Sequence, residues 1–121
     1  MSKTLMIVDD SRVAYAEMCK LLADTDFEVV GYCRSGEEAL TLYEQCKPDV
    51  VTMDIVMPGE DGFDAARSIL EVHSDARILM VSSLAYDETI DEAVAIGAKG
   101  FVFKPLNKEQ LVNALINAIE H

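Results

Sequence analysis

Four short apolar runs in this chain each end in a side chain that phosphate and metal chemistry can use. The run at 5–8 leads into Asp9 and Asp10, that at 50–53 into Asp54, that at 78–81 into Ser82, and that at 100–103 into Lys104. Three carboxylates brought to one point repel: two ionised carboxylates about 5 Å apart cost about 3 kcal/mol at an effective dielectric of about 20. Such a cluster asks for a cation. Oxygen donors without His or Cys suit a hard ion, and Mg2+ is favoured where phosphate oxygens complete its octahedron. A carboxylate can also attack phosphorus and form an aspartyl phosphate, while an ammonium and a hydroxyl neutralise charge on the group in transfer. Taken singly, each residue has a plainer reading. Asp9-Asp10 after a strand can cap a helix, Asp54 can open a turn, Ser82 and Ser83 can be loop hydroxyls, and Lys104 before Pro105 can be a solvated charge. Chemically matched groups at four run ends, in chain order, favour a site.

Those ends meet only if the runs are parallel strands, whose carboxyl ends form the rim where open α/β sheets bind ligands. Short β-branched runs at 5–8, 28–33, 50–54, 78–82 and 100–103 alternate with segments of helical spacing. The first segment carries Ala14, Met18, Leu21 and Leu22. The second opens on Ser35 with Glu38 three residues on, a capping-box pattern, and turns Ala39, Leu42, Tyr43 and Cys46 inward. Ala65, Ala66, Ile69, Leu70 and His73 mark the third. Ile90, Ala93 and Val94 mark the fourth, stopped at Gly97. Asn107 with Gln110 caps the fifth, whose stripe is Leu111, Ala114, Leu115 and Ala118. A second line on that helix, Val112, Ile116 and Ile119, reads as a partner or dimer surface or as edge packing. Five strands alternating with five helices give a doubly wound α/β domain over residues 1–121, a parallel sheet covered on both faces by right-handed crossovers. Lys47-Pro48 and Met57-Pro58 punctuate loops.

A chain of 121 residues, half of them hydrophobic, fills one domain without disulfide staples. The net charge of −12 repels nucleic-acid phosphates, and Lys and Arg are scattered singly, so no nucleic-acid binding is expected. Cys19, Cys33 and Cys46 share no CxxC spacing and read as buried free thiols of a reducing compartment. With no cleavable signal pattern and no apolar stretch of the ~20 residues a span needs, a cytoplasmic protein off the membrane is expected. His73 and His121 read as structural or terminal. The chain ends with its fifth helix, as a free-standing module does or as a piece cut there from a longer protein does.

Val8-Asp9-Asp10-Ser11, Met53 to Pro58 followed by Asp61-Gly62, Met80-Val81-Ser82-Ser83 and Phe103-Lys104-Pro105 together resemble the signature segments of the response regulator receiver family, in order and over essentially the whole chain. The resemblance implies the flavodoxin-like (βα)5 fold with strand order 2-1-3-4-5. It implies Asp54 as phosphoacceptor for a histidine kinase, and Mg2+ held by Asp9, Asp10, Asp54 and the main-chain carbonyl of Val56. Lys104 would pair with the phosphoryl group, Ser82 would be the switch hydroxyl, and Phe101 the aromatic whose rotamer follows. It further implies a cis Lys104-Pro105 bond, a turn after Pro58 permitted by Gly62, and a target-binding face on helix 4, strand 5 and helix 5, to which the second apolar line of the last helix, Val112, Ile116 and Ile119, would belong. The protein would be a signalling switch rather than an enzyme, catalysing only its own phosphorylation and dephosphorylation, as a monomer or a phosphorylation-dependent dimer. The absence of an output domain resembles free-standing chemotaxis regulators, while Val81-Ser82-Ser83-Leu84 is similar to the receiver of chemotaxis methylesterases. A truncated receiver, a relay or a phosphate sink are the alternatives within the family. Apolar Val56 and Leu84, where relatives often carry polar residues that position water, imply slow self-dephosphorylation. Outside it, a haloacid dehalogenase-type phosphohydrolase would want a second acid at position 56 and a cap domain. A flavin-binding module would not place Asp9-Asp10 against a phosphate.

Overall fold

Short β-branched runs end up side by side and pointing the same way because each intervening helix carries the chain back to the starting edge of the sheet. The computed structural model describes residues 3–83 and 86–120. Its strands are β1 (Lys3–Val8), β2 (Phe27–Cys33), β3 (Val50–Asp54), β4 (Ile78–Ser82) and β5 (Gly100–Phe103). The helices are α1 (Arg12–Leu22), α2 (Ala39–Cys46), α3 (Gly62–Val72), α4 (Asp87–Ala95) and α5 (Lys108–Glu120). All strand pairs are parallel and the order is β2-β1-β3-β4-β5. This is the doubly wound architecture expected from the alternation, in the strand order the resemblance implies.

The two-residue period of each strand splits the core. Met6, Val8, Val51, Met53, Ile78 and Met80 face α2, α3 and α4, where Ala39, Phe63, Ala66, Ile69 and Ala93 are buried. Leu5, Ile7, Val50, Leu79 and Val102 face α1 and α5, where Met18, Leu22, Leu111, Leu115 and Ala118 are buried. Gly97, with φ 94°, ends α4 as expected: its N–H bonds the Val94 carbonyl and the Ala98 N–H the Ala93 carbonyl, a Schellman stop. Asn107 caps α5 through Gln110 N–H at 3.1 Å. The three cysteines are free; Cys33 is buried and Cys19 and Cys46 are half-buried. Burial raises the Cys33 thiol to about 11, so it stays protonated. Among the described residues no helix is long and apolar enough to cross a membrane.

Four local expectations are corrected. Ser35 and Glu38 form no capping box: a 3-10 turn occupies Gly36–Glu38, α2 starts only at Ala39, and neither residue's side chain caps. Val94 is 72% exposed, because α4 meets the sheet mainly through Ala93. The second apolar line of α5 points away from α4. Val112, Ile116 and Ile119 instead line a groove of about 280 Å³ with Phe27, Thr25 and Lys3, on the side where Lys108 pairs with Asp24. Finally, the glycine that the turn after Pro58 needs is Gly59, at φ 79°. Gly62 serves close packing instead: a Cβ there would lie 2.0 Å from the Asp54 carbonyl oxygen.

Candidate functional site

The carboxyl ends of β1, β3, β4 and β5 share one rim, so their last residues converge although they are far apart in the chain. At β1, the Asp9 N–H bonds the Cys33 carbonyl at 3.1 Å. Asp9 Oδ1 accepts the Ser11 N–H at 2.9 Å, and Ser11 Oγ accepts the Ala14 N–H at 3.2 Å. Ser11 is therefore the cap of α1, which leaves the Asp9 and Asp10 carboxylates to the rim. Asp54 is the last residue of β3, backed by Gly62 at the first turn of α3, where no side chain holds the helix away. One carboxylate oxygen from each of Asp9, Asp10 and Asp54 lies within 4.8 Å of the others. Lys104, immediately after β5, donates through Nζ to Asp9 Oδ2 at 2.9 Å and to Asp54 Oδ1 at 3.4 Å. Its own N–H bonds the Ser82 carbonyl at 2.9 Å, and the Lys104-Pro105 peptide is cis.

Burial sets the electrostatics. Asp9 and Asp54 are 3% and 6% exposed. Burial first, then repulsion from Asp9, raises Asp54 to about 6 against the downward pull of Lys104. Burial also works against the charge on Lys104, but the hydrogen bond to Asp9 and the charges of Asp54 and Asp9 outweigh it and hold the ammonium above its ordinary value. One lysine thus leaves three crowded acids under-compensated. The all-oxygen donor set and this uncompensated charge fit a hard divalent cation such as Mg2+.

The remaining expected residues fall into two groups. Ser82 is buried at the end of β4, one residue beyond Val81, the register partner of Asp54, and opposite Phe103 on β5. It stands on the same rim. Val56 follows β3 with its side chain 60% exposed. Phe101 is not at the rim: it lies lower on β5, opposite Met80, with its ring tilted against Phe103 at 5.0 Å. Leu84 and His121 lie outside the described residues. His73 caps α3, with Nε2 3.0 Å from Glu44 and its ring against Tyr43, a structural contact.

Sequence reasoning passed over the end of β2. Tyr32 and Cys33 pair with Ile7 and Val8, so Arg34 comes level with the acids. The Tyr32 hydroxyl donates to the Asp9 carbonyl and the Arg34 guanidinium to that of Asp10. The signal that could have found them is position: in the order 2-1-3-4-5 the end of strand 2 borders that of strand 1. Glu37 was also missed; its carboxylate accepts the Glu60 N–H at 3.0 Å and ties down the loop after Asp54.

Comparison with known proteins agrees with this geometry. A family model described as the response regulator receiver domain matches residues 5–116. The chain is 36% identical over 115 residues to the chemotaxis protein CheY of Thermotoga maritima, covering 95% of this chain and 96% of that protein. Among solved structures it is similar to CheY4 of Vibrio cholerae, with TM-score 0.89 and 28% identity, covering 98% of this chain and 99% of that one. It is also similar to a chain of the CheX-CheY-BeF3-Mg+2 complex from Borrelia burgdorferi, with TM-score 0.90 and 29% identity, covering 94% and 87%. A match over nearly the whole sequence, on a fold whose strand ends gather three acids and a lysine, means that this chain belongs to the response regulator receiver domain family.

Proposed function

We propose that the chain is a phosphorylation switch of a two-component system, in which Asp54 accepts a phosphoryl group from a histidine kinase and the domain then changes its affinity for a downstream target, in chemotaxis. The observation that carries this reading is Lys104 bonded to both Asp9 and Asp54 while Asp10 completes the acid trio. A carboxylate oxygen of Asp54 bonds to phosphorus as the phosphorus–nitrogen bond of the donor phosphohistidine breaks, and the electron pair stays on the imidazole. With a value of about 6, Asp54 is mostly ionised at neutral pH and able to attack. Asp9, Asp10, Asp54 and the Val56 carbonyl would hold Mg2+, which when bound offsets the charge on carboxylate and phosphoryl oxygens. Lys104 turns from the acids to a phosphoryl oxygen and Ser82 donates to another, each adding charge stabilisation where charge develops.

Phosphorylation adds about −1.5 to −2 charge at this rim, which favours the conformation where Ser82 and Lys104 close on the group and Phe101 follows. The target meets α4, β5 and α5. There Val94 and Phe103 are exposed and a hollow of about 240 Å³ is lined by Ile90, Ala93, Val94 and Phe101. A coupling of about 1 to 3 kcal/mol between the two sites is typical of such switches. The chemotaxis assignment leans on the relatives named CheY, and the CheX-CheY complex that carries BeF3 and Mg2+ supports the cation and phosphoryl reading. A receiver excised from a larger regulator, or a relay or sink, would share the chemistry and differ in its target. The protein is cytoplasmic in this reading and catalyses only its own phosphorylation and dephosphorylation. Light scattering with and without beryllofluoride separates a monomer from a phosphorylation-dependent dimer. The primary test is incubation with acetyl phosphate and Mg2+: one phosphoryl group per chain, mapped to Asp54 and lost in Asp54→Asn, is expected. Steady phosphate release without a labelled chain would make the protein a phosphohydrolase instead.

A further inference from the structure

Two consecutive carbonyls in the β1–α1 connection are each held by a side chain from the end of β2. The Tyr32 hydroxyl donates to the Asp9 carbonyl at 3.0 Å. The Arg34 guanidinium donates to the Asp10 carbonyl through Nε at 3.3 Å and Nη2 at 3.1 Å. Tyr32 is itself immobilised, its ring stacked on Tyr15 of α1 with centroids 3.9 Å apart and planes 12° from parallel. These carbonyls belong to the two peptide planes that flank the Asp10 Cα, so fixing both fixes the φ and ψ of Asp10 and the direction of its Cβ. That matters because both Asp9 oxygens are engaged, by Ser11 and Lys104, whereas the Asp10 carboxylate has no hydrogen bond or ion pair among the described residues. The direction of its Cα–Cβ bond is set by the main chain.

We infer that Tyr32 and Arg34 are positioning residues for the cation site, presetting the Asp10 carboxylate for coordination; this rests on the cation-dependent reading above. The sign of one effect decides the matter. Arg34 is a positive charge beside a site for a positive ion, so by Coulomb's law alone its removal tightens cation binding. If it positions Asp10, its removal loosens binding, as loss of an outer-shell partner does.

The experiment uses the full, unphosphorylated chain titrated with Mn2+, followed by the electron paramagnetic resonance of the free ion, and with Mg2+ by calorimetry. Wild type, Tyr32→Phe, Arg34→Ala, Asp10→Asn and the double variant Asp10→Asn with Tyr32→Phe are compared, with thermal melts of each. Tyr32→Phe keeps the ring stack and removes only the donor. Tyr32→Phe and Arg34→Ala are each expected to weaken both ions by about tenfold, the low end for outer-shell partners, while Tyr32→Phe has little further effect in the Asp10→Asn background. Tighter or unchanged binding in Arg34→Ala overturns the inference and leaves the cation reading standing. So does an equal loss from Tyr32→Phe with and without the Asp10 carboxylate. A wild-type chain that binds neither ion overturns both.

Discussion

Asp54 is the side chain on which chemistry and stability pull against each other. Its carboxylate is buried, faces Asp9 and titrates at about 6 instead of the ordinary 3.8. Because the folded value is the higher one, the protonated form favours the fold. The stability it brings is full below the ordinary value and is lost as pH rises through about 6. Metal-free wild type is therefore expected to gain about 1 kcal/mol relative to Asp54→Asn when pH falls from about 7.5 to about 5, read from paired denaturant titrations. Mg2+ at the higher pH is expected to remove most of that difference, because a bound cation stabilises the ionised cluster. Val56 is the second residue with a kinetic consequence. In the proposed switch its apolar, exposed side chain would offer the hydrolytic water no partner, so Val56→Asn is expected to shorten the lifetime of the aspartyl phosphate, measured by phosphate release from purified phosphoprotein.

Among the elements, the start of α3 and the whole of α4 show opposite solutions to packing. Gly62 lets α3 begin directly against the Asp54 carbonyl, where a Cβ would lie 2.0 Å away. Gly62→Ala is expected to cost about 3 kcal/mol and to slow phosphorylation, because only movement of β3 or α3 relieves the overlap. Gly59→Ala, strained by its positive φ and by the Glu37 carboxylate, is expected to cost about 1 kcal/mol and to leave Asp54 in place. Urea titrations beside phosphorylation rates separate the two. By contrast α4 buries little beyond Ala93 and leaves Val94 in solvent. A thinly packed helix beside β5 shifts at small energetic cost.

Across the molecule, the sheet links the rim to that helix. Ser82 lies opposite Phe103 and Met80 opposite Phe101, and α4 and β5 line one hollow, so in the proposed switch a pull on the end of β4 would pass to β5 through parallel pairing and from β5 to α4. Beryllofluoride with Mg2+ is expected to change amide hydrogen exchange in α4 and β5 more than in α2, and Asp54→Asn is expected to abolish the change. Equal responses in α2 and in α4 with β5, at opposite edges of the sheet, would argue against a directed path.

Periodicity and run endings were enough to read five strands, five helices and the acids, hydroxyl and lysine at their ends, because backbone hydrogen bonding and burial repeat at two and at 3.6 residues whatever lies elsewhere. Strand order was legible only through resemblance, since periodicity says nothing of which strand neighbours which. The errors have one physical origin. Whether Ser35 caps, whether Val94 is covered, which side of α5 carries Ile116, and why Gly62 has no side chain are all questions about the distance to another element. Tyr32 and Arg34 were illegible for the same reason: a tyrosine and an arginine near a strand end signify nothing until the neighbouring strand sets two carbonyls within their reach.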